Sequence, residues 1–215
     1  VLSAGNTGAA MVASTLKLRS LKGIERPAIA TAFPTLQDPM VLIDAGANMD
    51  CSAKQLFQFA VMGTQYSKLI LGKKNPKVGL LSIGGEDSKG NEITKEAFRM
   101  LSNSNLNFKG NVEGHDLFHG DIDVIACDGF VGNVVLKTCE STANAVTDWI
   151  KMETKKSPFR ILGALMMRGA FHAVKKHVDP EIHGGAPLLG INGISIITHG
   201  STSRKGIVNA IKVAS

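Results

Sequence analysis

Asp123-Val124-Ile125-Ala126-Cys127-Asp128-Gly129-Phe130-Val131-Gly132-Asn133 sets the reading of the whole chain. Val124 to Cys127 is an apolar run too short for a helix and has the composition of a strand buried on both faces. Asp128-Gly129 breaks it, Gly132-Asn133 follows, and Val134 to Ile150 has helical spacing. A buried strand that opens through glycine into a helix sets backbone N–H groups at the carboxyl edge of a sheet, where an anion can be held. The same pattern also describes an ordinary strand-to-helix turn. Recurrence favours the first reading, because similar turns occur along the rest of the chain.

Outward from that stretch, strand and helix alternate. Val1-Leu2-Ser3-Ala4 reads as the end of a strand, followed by Gly5-Asn6-Thr7-Gly8 and a helix over 9–17 that Asn6 or Thr7 would cap. Further strands are expected at 28–33, 40–43 and 78–83, and a short strand and turn at 108–114. Helices are expected over 52–71, capped by Asp50 or Ser52, and over 94–102, with Thr94 as cap or first residue. The loop Gly84-Gly85-Glu86-Asp87-Ser88-Lys89-Gly90-Asn91-Glu92 is dense in glycine, charge and amide, and it follows a buried strand, where ligand loops concentrate. Residues 159–178 form a helix or helical hairpin with an apolar face through Met167, Phe171, Val174 and Val178, opposed by Arg160, Arg168, Lys175, Lys176 and His177. Packing on the core or on a second subunit is one account of this segment; an interfacial tip meeting anionic headgroups or an acidic protein is the other. His183 to Gly190 reads as a turn, 194–197 as the last strand, and 205–214 as a helix after Thr198-His199-Gly200-Ser201. The order implies an α/β domain over 1–215: a mostly parallel sheet, helices on both faces, and a protruding amphipathic segment over 153–182.

Composition bounds the function. With 215 residues, 44% hydrophobic and 20% charged, the chain is globular and large enough for a sizeable core. The net charge of +6 points to an anionic substrate, an acidic partner or an anionic membrane. Aromatic residues at 5% argue against single-stranded nucleic-acid binding, which needs stacking platforms. Cys51, Cys127 and Cys139 lack zinc-site spacing and read as reduced thiols of a cytoplasmic protein. Neither the dinucleotide fingerprint nor the P-loop is present, and no apolar run reaches transmembrane length.

The turns together resemble the bacterial phosphate acyltransferase family, PlsX. The matching stretches are Ser3-Ala4-Gly5-Asn6-Thr7-Gly8-Ala9, Asp44-Ala45-Gly46-Ala47-Asn48, Asn75-Pro76-Lys77-Val78-Gly79-Leu80-Leu81, Thr94-Lys95-Glu96-Ala97, Gly110-Asn111-Val112-Glu113-Gly114, Cys127 to Asn133, Gly184 to Gly190, and His199-Gly200-Ser201. They run in the family's order over nearly the whole chain, with departures at Gly85 and Asp87-Ser88. The resemblance implies a fold like that of phosphotransacetylases and of isocitrate- and isopropylmalate-type dehydrogenases, with further strand–helix units before Ser3. It implies transfer of an acyl group from acyl carrier protein to inorganic phosphate in phospholipid synthesis, without metal or other cofactor. It also implies a homodimer that associates peripherally with an anionic membrane surface, and it implies no nucleic acid.

Such a reaction needs groups that bind phosphate, align it with a thioester carbonyl and stabilise the oxyanion that forms. Lys89 and Asn133 are the expected catalytic pair, Lys89 as the cation and Asn133 as a donor to oxygen. Asn6, Thr7, Gly8, Asn48, Asp128, Gly132, His199 and Ser201 are the expected substrate-binding set, all of these turns meeting at one rim of the sheet. Asp128 is expected to cap its own turn before it orients Lys89. Arg160, Leu162, Leu165, Met166, Arg168, Lys175 and Lys176 are the expected contacts to membrane or carrier protein. No cysteine nucleophile is required, since phosphate itself attacks. Two rivals stand beside this reading: a phosphotransacetylase-like enzyme using acyl-CoA, and a non-catalytic membrane-associated scaffold.

Overall fold

The structure is a computed structural model that describes residues 1–177, 184–200 and 202–214; for Lys176 and His177 it describes the backbone alone. Its strands are β1 (Leu2–Ser3), β2 (Ala28–Phe33), β3 (Met40–Ile43), β4 (Lys77–Leu81), β5 (Asn107–Val112), β6 (Val124–Ala126), β7 (Ala186–Leu189) and β8 (Ile196–Ile197). The helices are α1 (Thr7–Leu18), α2 (Ala53–Leu69), α3 (Glu92–Ser102), α4 (Gly129–Thr154), α5 (Pro158–Met166), α6 (Arg168–His177) and α7 (Arg204–Ala214). All the strands join one sheet in the order β1-β8-β7-β2-β3-β6-β4-β5. The pairs β3–β6, β6–β4, β4–β5 and β1–β8 are parallel. The pairs β2–β3, β2–β7 and β7–β8 are antiparallel. The sheet is therefore mostly parallel but mixed, with its reversals confined to the middle.

Alternation along β3 shows how the layers form. Val41 and Ile43 face a cluster with Leu56, Phe59 and Ala60 of α2 and Ala97 and Leu101 of α3. Met40 and Leu42 face the other way, into a cluster packed by Val135, Leu136 and Cys139 of α4. Successive side chains of a strand point to opposite faces, so an all-apolar strand must be covered on both.

Several boundaries differ from the sequence expectation for local reasons. α4 begins at Gly129, well before Val134, because Asp128 caps it: its Oδ1 accepts the Val131 N–H at 2.8 Å. The glycines that weaken a helix signal are what let this first turn pack closely. α3 is capped by Asn91 rather than Thr94. Ser52, not Asp50, caps α2, in a capping box with Gln55. β7 lies where the sequence predicts a turn. It pairs on both sides, with β2 and β8. The flanking Gly185 and Gly190, at φ +87° and +86°, give it the look of a turn in sequence.

The stretch expected as a helical protrusion is a pair, α5 and α6, carried on the outer part of α4. At 26 residues α4 is about 39 Å long. α5 has no buried residue. Phe159 and Met166 are 85% and 83% exposed, an apolar surface without a partner among the described residues. No helix among the described residues is long and apolar enough to cross a membrane.

Candidate active site

The turn after β3 is built around Asp44, which is fully buried. Its Oδ1 accepts N–H bonds from Ile29, Gly46 and Ala47 at 2.9–3.2 Å. Its Oδ2 accepts from the Asn48 backbone N–H at 2.7 Å and from Asn48 Nδ2 at 2.8 Å. Burial pushes the Asp44 carboxyl above the usual carboxylate range, and these donors offset only part of that rise. Asn48 Nδ2 also donates to the Pro27 carbonyl at 2.8 Å. Both amide hydrogens of Asn48 are thus committed inside the loop, so this expected substrate ligand sits as a brace.

The next turn docks on that loop. The Gly129 N–H donates to the Asn48 carbonyl at 2.6 Å and the Gly132 N–H to the Asp128 carbonyl at 2.9 Å. With Val131 capped by Asp128, these donors are spent, and the turn does not offer them to an anion as its sequence suggested. Gly132 is needed for contact: a Cβ there would stand 1.9 Å from the Asp44 carbonyl oxygen. Asn133 follows on the exposed side of α4, and its side chain lies beside the Gly46 backbone, where an added Cβ would be 3.5 Å away. Gly46 has φ +128°, which excludes most side chains and keeps that approach open.

The third turn, after β4, carries Lys89. Its backbone N–H donates to the Glu86 carbonyl at 3.0 Å, and its side-chain stem lies against Gly84. The side chain is exposed and makes no ion pair or hydrogen bond among the described residues. β3, β6 and β4 are adjacent and parallel, so these three turns leave the same edge of the sheet side by side.

The remaining expected ligands lie elsewhere. Between β3 and β8 the strand direction reverses three times, so β8 and its parallel neighbour β1 run opposite to β3. The turns carrying Asn6 and His199 follow the carboxyl ends of β1 and β8 and therefore leave the opposite edge of the sheet, so the expectation of a single rim fails for them. Those two turns do adjoin each other: the Thr198 N–H donates to the Ser3 carbonyl at 2.8 Å. Asn6 caps α1 by accepting the Ala9 N–H at 3.0 Å; Thr7 and Gly8 open that helix, and His199 is exposed. One apolar cluster contains Ala10 of α1, Ile29, Ala45 and Ile197, with Leu136 of α4 packed against it, and so connects the two groups of turns. Ser201 lies outside the described residues.

The cysteines are poor nucleophiles here. Cys127 is buried and its thiol is pushed well above the normal range, first by burial and then by the charges of Asp44 and Asp128. Burial and the same two carboxylates push Cys51 up to about 11. Cys139, half-buried on α4, is also raised by burial.

On the protrusion, Arg160 turns back onto α4 instead of outward: Nη1 meets Glu153 Oε2 at 2.9 Å and the Glu153 carbonyl at 3.0 Å. Leu162, Leu165 and Met166 are exposed. Arg168 and Lys175 border an open depression of about 610 Å³ with Phe171 and His172, on the protrusion and not among the turns just described. The Lys176 side chain lies outside the described residues. Asp44 has one signal in the sequence: it ends an all-apolar strand, where a carboxylate must find donors.

This architecture is that of the phosphotransacetylase-like α/β proteins. The chain superposes on a phosphotransacetylase from Streptococcus pyogenes with a TM-score of 0.63 at 19% identity, covering 99% of this chain and 61% of that one. It superposes on the EutD phosphotransacetylase from Staphylococcus aureus at 0.60 and 15%, covering 94% and 57%. More particularly, residues 1–215 match the family model described as fatty acid synthesis protein, and the chain belongs to that family. It is 54% identical over 212 residues to the phosphate acyltransferase of Campylobacter fetus subsp. fetus, covering 98% of this chain and 64% of that protein. It is 50% identical over 214 residues to the phosphate acyltransferase of Syntrophotalea carbinolica, covering 100% and 62%. The chain thus spans a little under two thirds of the length of these relatives.

Proposed function

We propose that this protein transfers an acyl group from acyl carrier protein to inorganic phosphate, giving acyl phosphate and free carrier thiol for phospholipid synthesis. The observation that carries the reading is the pairing of family membership with three adjacent turns at one sheet edge, two of which present exposed Lys89 and Asn133 side chains with no hydrogen-bond or ion-pair partner among the described residues. Phosphate attacks the thioester carbonyl carbon, the carbonyl oxygen takes up negative charge, and the thiolate of the carrier leaves as the C–S bond breaks. Lys89 supplies the positive charge for the phosphate or the forming oxyanion, and Asn133 an N–H donor to oxygen. The Asp44–Asn48 loop holds α4 in place, and thereby Asn133. The exposed apolar tip of α5 and the basic residues Arg168 and Lys175 suit a lipidic, carrier-bound donor and an anionic membrane, and the unpartnered outer surface of α4 to α6 suits a homodimer.

The test is a comparison of donors at fixed phosphate, in the presence of anionic vesicles. Palmitoyl carrier protein should release thiol faster than acetyl-CoA, and the protein should float with the vesicles. Preference for acetyl-CoA would favour the phosphotransacetylase reading. Flotation without thiol release from either donor would favour a scaffold.

A further inference from the structure

The Lys89 loop is too rich in glycine to place a lysine unaided. Gly84, Gly85 and Gly90 give it backbone freedom, and Glu86 to Lys89 are exposed. Two side chains from the edge strand β5 and its end take hold of it. Glu113 Oε1 accepts the Gly85 N–H at 3.1 Å. Asn111 Nδ2 donates to the Glu86 carbonyl at 2.8 Å. The Glu86 carbonyl also accepts the Lys89 N–H, so Asn111 grips the very turn from which the lysine projects.

The strand is shaped for this. Pairing between β4 and β5 shifts after Val78: Phe108 stands opposite Val78 but Asn111 opposite Leu80, so β5 carries one extra residue. Gly110, at φ +102°, lies in the bulge. A bulge re-aims the side chains that follow it, and residues two apart share a face. Asn111 and Glu113 are therefore turned together toward the loop. Asn111 keeps its grip although its Oδ1 is buried without a hydrogen-bond partner among the described residues, a cost that a purely solvated asparagine would avoid. The Glu113 backbone is itself held, its N–H donating to Asp116 Oδ2 at 2.9 Å.

We infer that Glu113 and Asn111 are positioning residues for Lys89, clamping residues 84–91 so that the amine reaches the reacting phosphate. The inference rests on the catalytic reading of Lys89 given above. Loss of the clamp should act on turnover more than on donor affinity, because misplacing a catalytic group by about 1 Å can cost as much as about 100-fold.

The experiment is a mutant cycle on the full chain. Glu113→Ala should lower kcat about 10- to 100-fold with donor KM little changed, and Glu113→Gln, which keeps the acceptor oxygen, should restore most of it. Amide exchange over 84–91 should quicken in Glu113→Ala and not in Glu113→Gln. Adding Glu113→Ala to Lys89→Ala should cost little more, because both changes remove one function. If Glu113→Ala does not fold, Asn111→Asp, which removes the donor to Glu86, carries the same expectations. Unchanged exchange over 84–91, no rescue by glutamine, or losses that multiply with Lys89→Ala would overturn the inference. A Lys89→Ala enzyme of normal turnover would instead refute the catalytic reading and leave the exchange result to report on the clamp alone.

Discussion

Lys89→Ala should lower thiol release from acyl carrier protein about 10²- to 10³-fold, the usual cost of removing one group that stabilises the oxyanion. The fold should be unaffected. Lys89 is exposed and its side chain makes no hydrogen bond or ion pair among the described residues, so truncation removes little beyond the contact of its stem with Gly84. Stability should move by no more than about 0.5 kcal/mol. Lys89→Arg should recover only part of the rate, since a planar guanidinium does not reproduce a compact ammonium at the same reach. Steady-state kinetics and a thermal melt on the same preparation check both halves. Normal turnover in Lys89→Ala would remove this residue from the mechanism.

Gly132→Ala should damage the protein in the opposite way, through the fold. Alanine is the better helix former by about 1 kcal/mol. At this position the new Cβ would lie 1.9 Å from the Asp44 carbonyl oxygen and 2.9 Å from Cys127 Sγ. The first is backbone of a loop fixed by a buried carboxylate, so α4 has to move away, and overpacking of this kind costs about 3 kcal/mol or more. The steric loss exceeds the propensity gain, leaving a net cost of about 2 kcal/mol and a fall in melting temperature of roughly 5 °C. Activity should drop as well, because Asn133 is the next residue. Gly163→Ala is the control: it lies in α5 with nothing within 4 Å of the added atom, so propensity alone should act and the melt should not fall. Equal melts for the two variants would show that α4 does not need its close seat.

The contrast between these residues shows what the sequence could and could not convey. The loop that carries Lys89 was legible as a loop because charge and amide crowd its glycines directly after an apolar strand. Strands such as Met40–Ile43 were legible because a run buried on both faces has no polar residue to interrupt it. The start of α4 was hidden, since Gly129 and Gly132 lower local helix propensity and serve a close contact with residues 44–48 far back in the chain. β7 was hidden by its bracketing glycines and by Pro187, features of a turn in local sequence but of a strand once β2 and β8 supply pairing. The shared rim was overextended for a topological reason: strand-to-helix turns look alike in sequence whichever way their strands run, and only the antiparallel β2 and β7 reveal that β1 and β8 are reversed. Asp44, Asn111 and Glu113 lay inside stretches that carried the family resemblance, but their partners are backbone atoms of distant loops, which no spacing rule encodes.

If phosphate is the acyl acceptor, it must be held where the turns after β4 and β6 meet. A crystal of the protein grown or soaked with phosphate measures it directly. Phosphate density should lie within hydrogen-bond reach of Lys89 Nζ and Asn133 Nδ2. Phosphate bound reproducibly elsewhere, with the Lys89 and Asn133 side chains left in solvent, would contradict it.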